Sequence, residues 1–181
     1  MTEFVALLRG INVGGKNILP MEELRELLAK LGCDDVATYI QSGNAVFRHK
    51  GNAAELPDLI ATAIDSRFGF RPSIMVLTAG EFDAVAKASP FLAEASEPKF
   101  VHVWFLREPA TSANTTRMGE LKSGGEKFLL TDSATYMYAP DGVGRSKLAG
   151  GMEKCLGVPA TARNWRTVCK IREMVSGLGQ A

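Results

Sequence analysis

"VATYIQSGNAVF", residues 36–47, decides how this chain folds. Two short runs rich in β-branched and aromatic residues flank "QSGN" (41–44), whose small polar residues and glycine supply turn chemistry. Runs joined so closely pair as a β-hairpin, which makes the neighbouring strands antiparallel. Gln41 is read as the last strand residue before the turn, facing one side of the sheet.

The segments on either side extend this reading. "EFVALLR" (3–9) is apolar at consecutive positions, the pattern of a central strand. Behind it Pro20 opens a helix, and Glu22 and Glu23 suit its positive end. Leu24, Leu27, Leu28 and Leu31 recur at i, i+3, i+4 and i+7 before Gly32 stops it. After the hairpin a second amphipathic helix over 53–68 turns Leu56, Ile60, Ile64 and Phe68 inward, and "SIMVLT" (73–78) closes the unit as a strand. The order is β-α-β-β-α-β, that of a ferredoxin-like unit with two helices on one face of an antiparallel sheet.

The second half repeats the order without repeating the residues. A helix begins at the capping box Thr78–Glu81 and ends at Ser89-Pro90, and "LAEASEP" (92–98) is the linker candidate. Then come a strand at 99–106, a helix near 112–120, and a hairpin of "EKFLLT" with "ATYMYA" about Asp132-Ser133. A helix from Ser146 to Leu156, an extended "ATAR" (160–163) and a last helix over 165–176 follow. The expected fold is therefore α+β, with two tandem ferredoxin-like subdomains. Residues 1–79 form the first, 80–98 the connecting helix and linker, and 99–181 the second with an extra terminal helix.

With 181 residues, 46% apolar and 23% charged, the chain has an ordinary globular composition. A net charge of +1 gives no global pull toward nucleic acid or membrane. Residues 142–181, however, hold seven basic side chains against Glu153 and Glu173, a plausible anion-facing surface or the solvated faces of two helices. Cys33, Cys155 and Cys169 form no CxxC pair, only His49 and His102 are present, and no metal-ligand spacing occurs. No leader or spanning segment is read: "EFVALLR" is too short, and a cytoplasmic location is expected.

"GINVGGKN" (10–17) is one residue short of a nucleotide-binding P-loop, because Asn17 stands where Ser or Thr would ligate magnesium. The helix starts about four residues too late for Lys16 to lie in its first turn. No apolar strand ends in the metal-holding aspartate, and the hairpin conflicts with a parallel sheet. NTP hydrolysis is therefore not expected. Two readings of the loop stand. It is a glycine-rich turn whose asparagines cap local backbone, or Gly14 and Gly15 expose main-chain amides to an anion, with Arg9, Asn12, Lys16 and Asn17 as further donors.

"ALLRGINVGGKNILPMEELRELLAKLG", "TYIQSGNAVF" and "TARNWRTV" together resemble the uncharacterised family catalogued as domain of unknown function 1697. The resemblance spans nearly the whole chain, and Asn17 belongs to its pattern. It implies two similar α+β subdomains and no established activity.

In "TARNWRTV" (161–168), Asn164 is a natural N-cap flanked by Arg163 and Arg166, either an anion site or a capped helix with Trp165 as core anchor. Lys147 sits in the first turn of its helix, where a cation gains nothing from the dipole, so it either faces an anionic partner or solvent. No catalytic residue is assigned: Ser42 lacks any supporting base, and no cofactor is implied. The leading expectation is a binding protein for a phosphate- or carboxylate-bearing small ligand in a cleft between subdomains. Its residues would be Arg9, Asn12, Gly14, Gly15, Lys16, Asn17, Gln41, Asn44, Lys147, Arg163 and Asn164. The alternatives are a single-stranded nucleic-acid module presenting sheet aromatics, or an enzyme of unidentified class.

Overall fold

The computed structural model describes residues 1–93, 95 and 97–179; Glu94 and Ser96 of the linker candidate lie outside these. The chain carries β1 (Thr2–Arg9), α1 (Met21–Lys30), β2 (Asp34–Tyr39), β3 (Asn44–His49), α2 (Leu56–Phe68), β4 (Ser73–Thr78) and α3 (Ala79–Lys87). Its second half carries β5 (Val101–Leu106), α4 (Thr115–Leu121), β6 (Lys127–Leu130), β7 (Ala134–Tyr138), α5 (Lys147–Leu156), β8 (Ala160–Asn164) and α6 (Trp165–Ser176).

Two antiparallel four-stranded sheets result, in the orders β2-β3-β1-β4 and β6-β7-β5-β8. These are the same order once the strands of each half are numbered from one, so the fold is a tandem of two ferredoxin-like units. Residues Met1–Ala84 with those from Cys169 onward form one unit, and Val85–Val168 the other.

In the first unit β1 lies between β3 and β4, with Phe4 opposite Phe47 and their rings 5.9 Å apart. Its continuous apolar run follows from that central place: Phe4, Ala6 and Leu8 join the core beneath α1 and α2, and Val5 and Leu7 on the other face are buried as well. Phe4 and Phe47 are thus inside the core. α1 begins one residue after Pro20, which sits extended at the N-cap, and Gly32 follows its end with φ +82°. α2 starts at Leu56, three residues inside the expected range, and stops at left-handed Gly69. The Thr78–Glu81 capping box forms in full: Glu81 accepts from the Thr78 amide at 2.8 Å, and the Glu81 amide donates to Thr78 Oγ1 at 3.2 Å.

In the second unit Trp104 and Leu106 of β5 pack with Met137 of β7 against Met118 of α4 and Leu148, Met152 and Leu156 of α5. On the other face Tyr136 is buried and donates its hydroxyl to the Val85 carbonyl at 2.7 Å, so its one polar atom is satisfied. Asn114 caps α4 and Ser146 caps α5 through their side-chain oxygens.

Candidate functional site

The glycine loop folds back on itself. Val13 and Lys16 form an antiparallel bridge, the Lys16 amide donates to the Val13 carbonyl at 3.1 Å, and Gly14 and Gly15 between them have φ +58° and +73°. Positive φ at both central residues is what a type I′ hairpin turn requires, and Gly-Gly satisfies it without steric cost. One step out, the Asn12 amide donates to the Asn17 carbonyl at 3.0 Å. Asn17 Nδ2 closes the ring onto the Gly10 carbonyl at 2.8 Å. The loop is therefore a miniature hairpin, not a phosphate cradle, and α1 begins only at Met21. Asn17 stands where a P-loop would have its hydroxyl, and its amide is spent within the loop.

Asn12 anchors this hairpin to the body of the unit. Its Oδ1 accepts from the Leu19 amide at 2.8 Å, while Nδ2 donates to the Leu19 carbonyl at 2.9 Å and to the Gln41 carbonyl at 2.9 Å. The Gln41 Oε1 lies 3.4 Å from the same nitrogen. The expected approach of Gln41 to the loop is thus realised, with one correction. Gln41 is not in the strand; β2 ends at Tyr39, and Gln41 is exposed in the turn. The reason is the neighbouring backbone: Ile40 has φ +47° and Gly43 φ +83°, values that end an extended strand.

Asn44 holds this turn from inside. It is fully buried, and its Nδ2 donates to the Tyr39 carbonyl at 2.9 Å and lies 3.2 Å from Ser42 Oγ. The expectation that Asn44 offers a donor to a ligand is corrected accordingly: burial and these partners commit it to the turn. Around the junction Arg9, Lys16 and Gln41 are exposed, as are three aliphatic side chains, Val13 (68%), Ile18 (55%) and Ile40 (48%). No described residue forms an ion pair with Lys16.

Lys147, Arg163 and Asn164 belong to the second unit. Arg163 is 9% exposed, donates Nη1 to the Ala162 carbonyl at 2.8 Å, and burial pushes its guanidinium down to about 10. The reading of Arg163 as an accessible cation beside the helix start is corrected by register: it pairs with Val103 of β5, and cross-strand partners share a face, here a buried one.

Asn164 does cap α6, accepting from the Arg166 amide at 3.0 Å. Its Nδ2 donates to the Lys99 carbonyl at 2.8 Å and lies 3.1 Å from His102 Nε2. With Asn164 Nδ2 as donor, that second contact uses the Nε2 lone pair, the arrangement of a neutral imidazole with its proton on Nδ1. Burial lowers the His102 pKa, against a smaller opposing pull from the Phe100 backbone. A folded pKa below the unfolded value means stability that is complete above the unfolded pKa of about 6.5 and is lost as pH falls through the folded one. Unfolding free energies measured between pH 8 and pH 5 should decline more steeply for the native chain than for His102→Gln. A proton titration of His102 at or above 6.5 by NMR would contradict this.

A cleft of about 490 Å³ on the first unit is lined by Phe82 and Asp83 of α3 and by Cys169, Arg172 and Glu173 of α6. Arg172 Nη2 pairs with Asp83 Oδ1 at 2.7 Å, and burial pushes the Cys169 thiol up. Sequence reasoning missed this cleft because Asp83 and Arg172 are 89 residues apart and neither belongs to a motif. Among the described residues no group of three or more His, Cys, Asp or Glu could hold a metal ion. No helix is long and apolar enough to cross a membrane.

Comparison with known proteins adds kinship without chemistry. No curated protein matches the chain. Among solved structures, a conserved bacterial protein, SP0830, from Streptococcus pneumoniae is 27% identical, with a TM-score of 0.71 over 96% of this chain and 98% of that one. The likeness extends across both units and carries the tandem ferredoxin-like arrangement. The profile of a family described as protein of unknown function (DUF1697) matches residues 1–136, which include the whole GINVGGKN hairpin and the QSGN turn. The chain is a member of that family.

Proposed function

We propose that the first unit binds a small ligand bearing a phosphate or carboxylate, at the junction of the GINVGGKN hairpin with the QSGN turn. The observation that carries this reading is the Asn12 anchor, which ties the hairpin bearing Lys16 to the Gln41 carbonyl and so braces the loop against the QSGN turn. Residues 9–20 contain Arg9 and Lys16 and no acid, so the surface is cationic.

Backbone strain supports the same place. Ile40 is β-branched yet left-handed, at a cost on the order of 1–3 kcal/mol that the surrounding hydrogen bonds must sustain. Strain of this kind concentrates where a side chain must be held in position for binding. The exposed Val13, Ile18 and Ile40 beside the cations favour a ligand with an apolar portion as well as its anionic group.

Isothermal titration against a panel of phosphate- and carboxylate-bearing metabolites tests the reading with Lys16→Ala and Gln41→Ala. Both side chains are exposed, so the fold is retained. A charged hydrogen bond contributes about 1.5–3 kcal/mol, so Lys16→Ala should weaken binding by about tenfold or more. Equal affinity in the native chain and both variants would remove this site. Arg163→Ala is unsuitable for the test, because the arginine is buried and its loss would disturb the second unit itself.

A further inference from the structure

We propose a second anion site, independent of the first, in a cleft between α4 and α5. The cleft has a volume of about 290 Å³ and is lined by Arg117 and Leu121 from α4 and by Lys147, Gly151, Lys154 and Cys155 from α5. With Asn114, the N-cap of α4, the lining comprises seven residues, of which three are cations and none is an acid.

Helical spacing explains the arrangement. Lys147, Gly151 and Lys154 stand at i, i+4 and i+7, one stripe of α5, with the two ammonium groups on either side of the glycine. Gly151 leaves room for Leu121: a Cβ there would lie 2.8 Å from Leu121 Cδ1, and the leucine's flexible end would have to turn aside.

The charges are compensated only in part. Arg117 pairs with Glu120 at 2.7 Å, but both are exposed and the pair contributes little. Lys147 and Lys154 have no acidic partner among the described residues. Lys147 also sits in the first turn of α5, where the helix dipole disfavours a cation. A bound anion relieves both effects. Leu121, Gly151 and Cys155 give the lining an apolar part beside the polar Asn114, and the volume lies at the small end of ligand sites. The fitting ligand is a compact organic phosphate or carboxylate, its anionic group between the lysines and its apolar body against Leu121.

The test is an NMR titration of the full-length chain with phenyl phosphate and, separately, inorganic phosphate. Saturable shifts are expected at the amides of Lys147, Gly151 and Lys154. Phenyl phosphate should bind more tightly than inorganic phosphate, and the K147Q/K154Q double variant should weaken it by about tenfold or more. Both lysines are exposed, so the double variant should keep the native denaturation midpoint; if it does not, K154Q alone carries the comparison. The proposal is overturned by the absence of saturable shifts at α5, by unaltered affinity in the lysine variant, or by equal affinity for the two phosphates. Shifts confined to residues 10–17 would overturn it while supporting the hairpin site, so the two readings fail separately.

Discussion

Replacing Gly43 by alanine should destabilise the first unit by about 2–5 kcal/mol, the largest effect expected of any glycine in its loops. Two causes add. Gly43 has φ +83°, where a side chain costs about 1–2 kcal/mol. Its added Cβ would also lie 2.7 Å from Leu8 Cβ and 2.7 Å from Ile11 Cδ1, both in the core, where overpacking costs about 1–3 kcal/mol. Nor can the turn readily move away, because the Leu8 amide donates to the Gly43 carbonyl at 2.8 Å. Gly14→Ala is the internal control: its φ is also positive, at +58°, but nothing lies within 4 Å of the added carbon. Urea denaturation should therefore show a small loss for Gly14→Ala and a much larger one for Gly43→Ala. Equal losses would mean that the QSGN turn does not pack on Leu8 and Ile11 as described.

Asn12→Ala should cost about 2–3 kcal/mol, chiefly by leaving the buried Leu19 amide without an acceptor. The Leu19 and Gln41 carbonyls lose their donor in the same step, and alanine tolerates the φ of +54° less well than asparagine. For a unit of about 100 residues such a loss lowers the melting temperature by on the order of 10 °C. Asn12→Gly separates the causes, since it relieves the backbone and still forfeits the side-chain bonds. Amide exchange at Leu19 should accelerate in both variants. Native protection there would sink the assignment of Asn12 as the anchor.

Much of the fold was legible in local patterns. The continuous apolar run of β1, the leucine stripe of α1 and the turn residues of QSGN each reflect near neighbours in the chain, and each named its element correctly. The hairpin at 36–47 then forced antiparallel pairing. Starting points were less legible, as α2 shows: residues 53–55 precede the helix although the apolar pattern runs on from them.

The candidate site was legible in part. The loop and Gln41 do meet, but the chemistry assigned to individual residues depended on where each side chain points. Of the two readings of the loop, asparagines that cap local backbone or that serve a ligand, Asn12 and Asn17 follow the first: both direct their amides to carbonyls within reach of the loop. Arg163 was read as an accessible cation, and pairing with Val103 turned it onto a buried face.

Residue type and spacing alone determined the element order, the antiparallel sheets and the tandem arrangement, because periodicity and turn chemistry act over a few residues. Only the tertiary structure decided that GINVGGKN is a hairpin instead of a cradle, since Gly14 and Gly15 suit either backbone and the choice rests on Asn12 reaching Leu19 and Gln41. It alone joined Asn164 to His102, 62 residues away, and set Lys147 and Lys154 across a cleft from Arg117. Contacts at such separations depend on register and on packing between elements, and a side chain's role is fixed by what those bring beside it.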